Sequence, residues 1–183
     1  RGDPLLAADL EAYLRDRDLW DIEHELTRSY VSNPGAGEVV KGHRIVLAEL
    51  GLATDAGRVV RDPVTVEGKW SRERRAEHIV RRLAFMRALF GALGGRRVTL
   101  WRGLGVDGRR AAVVVRTFVS ASFAQAVARS HFEGRGPGRI GFLAVRAVPV
   151  ERLFMTYLET AAMNTVFLEA EAVVLDHPAD RWP

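Results

Sequence analysis

Near the C-terminal end of the chain, the run VFLEAEAVVL sets two carboxylates, Glu169 and Glu171, two residues apart among apolar neighbours. On a strand, residues two apart share a face, so both acids are expected side by side on a core strand. Like charges so placed repel each other and cost stability. Either the strand is an edge whose acids face water, or the pair has a role beyond structure. The same rule puts Ser120 and Ser122 on one face at the end of the apolar run in TFVSASFAQAVARSHF, where hydroxyl residues commonly end a strand. In VTLWRGLG, Arg102 closes a short strand directly before Gly103. A guanidinium there can fork onto phosphate oxygens while the glycine lets a ligand approach the backbone; a solvated strand-end arginine is the plain alternative.

Other chemistries find no support. The chain has no cysteine, which removes thiol nucleophiles, Cys-based zinc sites and disulfide frameworks. His24, His43, His78, His131 and His177 form no HExxH motif, so no metal is expected. Asp16-Arg17-Asp18 has the DxD pattern but lies in a charged helical stretch and reads as a solvated face. Gly103-Leu104-Gly105 lacks the third glycine and the following helix of a dinucleotide-binding turn. No apolar run approaches the roughly 20 residues of a membrane-spanning helix.

The elements that must position these residues divide the chain in two. Residues 1–95 read as helical. Leu5, Leu6, Leu10, Tyr13 and Leu14 recur at three- and four-residue steps and Ile22 and Leu26 continue them, with a break near Trp20. A loop follows at Asn33-Pro34-Gly35, then a short apolar segment over 45–50 that stops at Gly51, a turn over 54–57, and apolar stretches at 59–60 and 64–66. The strongest helix starts after Ser71, runs through Ile79, Leu83, Met86 and Phe90, and stops at Gly94-Gly95. From 96 onward the grammar is that of strands, over 98–102, 111–119, 140–148 and 167–175, with a helical segment over 123–132 and a turn over 134–138. Helices first and strands second mean α+β, with a helical N-terminal lobe on a mixed or antiparallel sheet. At 183 residues and 48% hydrophobic, one domain spanning 1–183 is expected.

Charge is unevenly spread. The chain carries a net +4 with a pI of about 10.1, and all but Lys41 and Lys69 of its cations are arginine. Residues 1–30 hold eight acids against four arginines, whereas residues 71–97 hold eight arginines against two acids. The two segments attract each other or form separate solvated faces; the basic one could also bind a polyanion.

Taken in order, the strand-borne Arg102-Gly103, then Ser120-x-Ser122, then Glu169-x-Glu171 resemble the Arg, Ser-x-Ser, Glu-x-Glu constellation of mono-ADP-ribosyltransferases of the cholera-toxin-like, arginine-directed type. Trp101 before the arginine, Ala124, Ala128 and Phe132 after the serines, and the strand IGFLAVRAVPV add to the likeness, which covers about residues 98–175; Ala121 stands where threonine is common. The resemblance implies a split sheet that clamps NAD as co-substrate without a metal. Arg102 would bind the pyrophosphate or adjoining ribose, Gly103 would offer its backbone to the nicotinamide amide, Ser120 would hold the catalytic carboxylate, and Ser122 would support the cleft. Glu171 would stabilise the oxocarbenium-like sugar as nicotinamide leaves, and Glu169 would orient or deprotonate the acceptor. Residues 155–166 resemble the family's substrate-recognition loop, with Tyr157, Asn164 and Phe167 as contacts or, equally, as core or cap residues.

The implied acceptor is protein arginine, with RNA or DNA, or water in an NAD glycohydrolase, as alternatives. A basic nucleic-acid-binding module is the non-enzymatic one. The start at Arg1 without an initiator methionine reads as a fragment of a longer polypeptide. The expectation is therefore a monomeric bacterial toxin or effector domain, secreted or delivered into the cytoplasm of a target cell, with a cognate immunity protein as a further partner and no membrane contact.

Overall fold

Asp3 opens the first helix, α1 (Pro4–Arg15), by accepting from the Leu5 and Leu6 amides at 2.9 and 3.4 Å, and Pro4 supplies a preset φ at the first helical position. The computed structural model describes residues 2–34, 37–54, 67–107, 117–133, 139–165 and 168–176. The turns and apolar stretches anticipated over 55–66, the first part of the 111–119 strand, the 134–138 turn, Gly35, Phe167 and His177 lie outside the described residues.

The break expected near Trp20 is present. Asp18 takes a positive φ of 55° and α2 (Trp20–Ser32) follows. The segment anticipated over 45–50 is the end of a longer helix, α3 (Glu38–Glu49), that also buries Val40 and His43. Its interior Gly42 explains why periodicity alone undercounts it. A Cβ at Gly42 would lie 2.6 Å from the Arg75 guanidinium, so this turn of helix leaves room for a buried arginine. Helix α4 (Arg72–Ala92) starts as expected, with Ser71 Oγ accepting from the Arg74 amide. It ends where Gly94 adopts φ 72° and the Gly95 amide returns to the Phe90 carbonyl.

Five strands follow, β1 (Arg97–Asp107), β2 (Phe118–Ser122), β3 (Arg139–Pro149), β4 (Leu153–Thr156) and β5 (Glu171–Leu175), with α5 (Gln125–Ser130) after β2. They form one sheet in the order β3-β1-β2-β5-β4, and every pair is antiparallel. Strands β1 and β3 run together over eleven residue pairs, but β1 touches β2 at one pair, Trp101↔Ser122. Among the described residues the sheet therefore consists of a long two-stranded ribbon and a three-stranded block, with Trp101↔Ser122 as the one ladder pair between them.

Strand β5 is interior, and its alternate residues feed two cores. Val173 and Leu175 pack with Phe118, Phe154 and Met155 against Leu26 and Tyr30 of α2, Leu47 of α3 and Leu83 of α4. Ala172 and Val174 pack with Leu100, Val119, Ala121 and Val148 against Met86 and Phe90 of α4. Burial on both faces is why this strand reads as a nearly continuous apolar run.

Inside the helical layer lies a fully buried ionic cluster. Arg82 of α4 reaches Glu23 of α2 at 3.4 Å and Glu159, in the turn after β4, at 3.0 Å. His78 Nε2 lies 2.8 Å from Glu23, and its Nδ1 lies 3.2 Å from Nε2 of His43. Arg75 donates to His43 Nδ1 at 2.6 Å. The Val39 carbonyl lies 3.2 Å from the same nitrogen. Burial, with the positive neighbours His78 and Arg75, holds the His43 pKa well below its ordinary value, and burial pulls Arg75 down to about 10.

Candidate active site

The sequence-predicted chemical residues meet where the two parts of the sheet join. Trp101, Arg102, Gly103, Ser120, Ser122, His131, Glu169 and Glu171 line a cleft of about 180 Å³. They arrive on three strands, on the segment entering β5, and on the residue that ends α5. Ser120 Oγ donates to Glu171 Oε1 at 2.5 Å. Arg102 Nη1 donates to the Ser120 carbonyl at 2.6 Å, bridging the junction from the ribbon to the block. Ser122 is buried. Its hydroxyl donates to the Glu169 carbonyl at 2.6 Å and accepts from the Ala124 amide at 3.0 Å. Ser122 thus fastens the backbone that carries one acid, whereas Ser120 fastens the side chain of the other.

The expected reason for the two acids being neighbours needs correction. Glu169 is not on the strand: β5 begins at Glu171, and Ala170 between them takes a left-handed φ of 47°. Alternation along a strand therefore does not set their relation. The kink at Ala170 does, fixed by Ser122 below it and by the Phe123 amide, which donates to the Ala170 carbonyl at 2.9 Å. A non-glycine residue in this conformation is strained, and such strain concentrates at sites the surrounding structure holds deliberately. The edge-strand alternative falls for Glu171, because β5 has neighbours on both sides.

Gly103, expected beside a nucleotide, is glycine for a packing reason as well. A Cβ there would lie 1.7 Å from the Ala128 carbonyl oxygen of α5. Gly141, across the ribbon, is similarly covered by the Phe132 ring at 2.1 Å from its would-be Cβ. Two side-chain-free positions thus let α5 lie flat on the ribbon, which brings His131 to the cleft wall, with Nε2 3.9 Å from Glu169 Oε2.

The electrostatics centre on Glu171. Burial raises its pKa and the neighbouring charge of Glu169 adds to the rise; hydrogen bonds from Ser120 and Tyr30 and the charge of His131 oppose it without cancelling it. The result is a carboxylate held by neutral hydroxyls rather than by a cation. Motif reading missed His131, on the cleft wall, and Tyr30, which reaches Glu171 from the buried side. Tyr30 lies 141 positions from Glu171 in the chain, with its hydroxyl 3.5 Å from Glu171 Oε1. His131 was one histidine among five and carried no motif.

The three residues anticipated for substrate recognition fall differently. Met155 and Thr156, at the start of that segment, belong to the buried strand β4 rather than to a loop. Tyr157 is half-buried against Phe123, with ring centroids 5.7 Å apart, and its amide donates to the Glu171 carbonyl at 2.8 Å. Asn164 donates to the Tyr157 carbonyl at 2.6 Å, closing its own turn. Neither side chain lines the cleft, and Phe167 lies outside the described residues.

The basic segment does not present a continuous cationic face. Arg75 and Arg82 are fully buried, and Arg74 pairs with Asp18 and Asp21 of the acidic segment at 2.8 and 3.2 Å. The two oppositely charged stretches attract each other in part. The same contact occupies Asp18, and among the described residues no group of three or more histidine or acidic side chains is placed to hold a metal ion. Among those residues no helix is long and apolar enough to cross a membrane. Compared with protein-family models, with curated proteins and with solved structures, the chain gives no match.

Proposed function

We propose that this chain is an NAD-dependent mono-ADP-ribosyltransferase whose catalytic carboxylate is Glu171. The observation that supports the reading is Glu171 itself. It is a largely desolvated carboxylate held by Ser120, facing a cleft that Arg102 also lines, with a second acid, Glu169, beside it. A cleft of about 180 Å³ is below the roughly 300–1,000 Å³ of a pocket that engulfs a whole ligand. It suits the nicotinamide–ribose end of NAD, with the rest of the dinucleotide lying along the open junction.

In this reading the C1′–N glycosidic bond breaks with its electron pair leaving on neutral nicotinamide, and ionised Glu171 stabilises the positive charge left on the sugar. Arg102 steadies the pyrophosphate or the adjoining ribose, and Ser122 keeps the Glu169–Ala170 turn in register. The acceptor nitrogen then bonds to C1′ and gives up a proton, for which Glu169 is the base. Two features favour protein arginine as acceptor. A half-exposed carboxylate at the mouth attracts a guanidinium, and the burial or pairing of Arg74, Arg75 and Arg82 leaves fewer cations for a phosphate backbone. On the same reading the domain is the catalytic part of a secreted or delivered bacterial toxin, acting in a target cell.

The test is nicotinamide release from NAD by the purified protein. Glu171→Gln should lower it by about 10²–10³-fold with the unfolding transition intact, and a folded Glu171→Gln variant that turns over NAD as fast as the parent would overturn the assignment. Labelled NAD incubated with a lysate identifies the acceptor. Label that survives protease and disappears with ribonuclease would move the acceptor from protein to RNA.

A further inference from the structure

Glu171 begins an interior strand, and three contacts hold it. The Tyr157 amide donates to its carbonyl at 2.8 Å, Ser120 Oγ to its carboxylate at 2.5 Å, and the Tyr30 hydroxyl faces the same oxygen, Oε1, at 3.5 Å. The first two come from the sheet block. Tyr30 comes from α2, in the helical lobe, and is there for a structural reason that is separable from its hydroxyl. Its ring is buried among Leu26, Val40 and Val173, and it meets Phe118 edge-on with centroids 5.9 Å apart. Phe118, Ser120 and Ser122 alternate along one face of β2, so a ring packed on Phe118 points its para-oxygen towards the position that Ser120 and Glu171 share.

We propose that Tyr30 is a positioning residue for Glu171, through which the helical lobe fixes the side-chain rotamer of the cleft carboxylate. The inference rests on the functional reading above for its kinetic form, but its geometry does not. A carboxylate held by a single hydroxyl can still swing about that bond. A second donor on the same oxygen, approaching from another element, removes that freedom. At 3.5 Å the contact is long for a hydroxyl donor, whose usual distance is about 2.7–2.8 Å, and such contacts tighten when a bound substrate draws the carboxylate into place. The arrangement also supplies a hydrogen bond that favours the ionised form, opposing burial and the Glu169 charge. The charged or titratable groups facing Glu171 are Glu169 on its own segment, His131 at the end of α5 and Tyr30 itself, and Arg102 of β1 lines the same cleft.

The experiment is Tyr30→Phe, which keeps the ring and its packing on Phe118 and removes only the hydroxyl. Nicotinamide release should show kcat lower by roughly tenfold, the worth of a modest hydrogen bond to a charged group, with KM for NAD within about twofold and the acid limb of the kcat profile moved to higher pH. Tyr30→Leu, which also loses the ring packing, should in addition lower the unfolding midpoint. If Tyr30→Phe leaves kcat and the acid limb unchanged, Tyr30 is a packing residue and the proposal fails. If the parent protein releases no nicotinamide, the functional reading fails, and the positioning role is then read from the titration of the Glu171 side-chain carboxyl by carbon NMR. That carboxyl should titrate at higher pH in Tyr30→Phe than in the parent, and coincident curves would overturn the proposal.

Discussion

Glu23 and Glu171 are both glutamates drawn out of water, and their surroundings push them in opposite directions. Burial opposes the charge on Glu23, but Arg82 beside it and the His78 hydrogen bond outweigh that penalty, and its pKa ends below the ordinary glutamate value. Glu171 meets hydroxyls and a like charge, so burial prevails and its pKa ends above it. The contrast separates two uses of a buried acid. In the helical lobe the charge is balanced by cations and serves to join α2, α4 and the turn after β4. In the cleft the charge is left partly uncompensated, which costs stability and leaves a group able to respond to a cation that forms only during a reaction.

The sharpest way to break this comparison is to remove one partner from each region and measure urea midpoints. Arg82→Met would leave Glu23 and Glu159 facing each other in the interior, so a loss of about 3–5 kcal/mol is expected. Glu171→Gln should leave the midpoint equal or raise it. The folded protein keeps Glu171 protonated to higher pH than the unfolded chain does, so ionising it lowers stability as pH rises from the unfolded value through the folded one. Above that window the glutamine removes the cost. A Glu171→Gln variant less stable than the parent at neutral pH would mean that the ionised carboxylate is a structural partner after all.

A second, smaller effect distinguishes the regions by pH. Folded His43 resists protonation, whereas the unfolded chain takes up a proton as pH falls below about 6.5. Stability of the helical lobe should therefore decline on acidification, by up to about 1.4 kcal/mol per pH unit for that one proton. Urea midpoints for the parent and for His43→Gln, compared between about pH 7.5 and 5.5, should show a shallower dependence in the variant. Parallel curves would mean that another group dominates the acid response.

The parts of the molecule that could be read from sequence are those whose signal is local. The span of α4 follows from Ser71, its apolar spacing and Gly94, and β3 follows from its composition; β1, read as 98–102 with Arg102 closing it, instead runs on through Gly103 and Gly105 to Asp107, so Arg102 lies mid-strand. Arg102, Ser120, Ser122, Glu169 and Glu171 were singled out by residue type and spacing, and they do line one cleft. What escaped depends on distant partners. Arg75 and Arg82 look like a polar helix face until Glu23, Glu159 and the gap at Gly42 are in place, and Tyr30 acquires its site only through a residue 141 positions away. Strand β4 is buried at all four residues, so it shows no alternation to mark it as a strand. The turn that separates Glu169 from β5 depends on an alanine at positive φ, a conformation that no propensity assigns to alanine.

The smallest expected effect is also the one that isolates the like charge. Glu169 raises the pKa of Glu171 by repulsion, but its own side chain is 36% exposed, so water screens much of that repulsion and the stability at stake is on the order of a few tenths of a kcal/mol. Glu169→Gln should therefore raise the neutral-pH midpoint only marginally, and it should move the acid limb of nicotinamide release to lower pH as Glu171 becomes easier to ionise. Its effect on the two halves of the proposed reaction should differ. Cleavage of NAD depends on Glu171 and should persist, whereas transfer to a guanidinium needs a carboxylate at the mouth to attract the acceptor and take its proton, and should be lost. Assays of nicotinamide release and of label incorporated into protein, run on the same variant, separate the two. Loss of both together would place Glu169 in the cleavage step alongside Glu171 and remove the distinction between a carboxylate that stabilises the sugar and one that serves the acceptor.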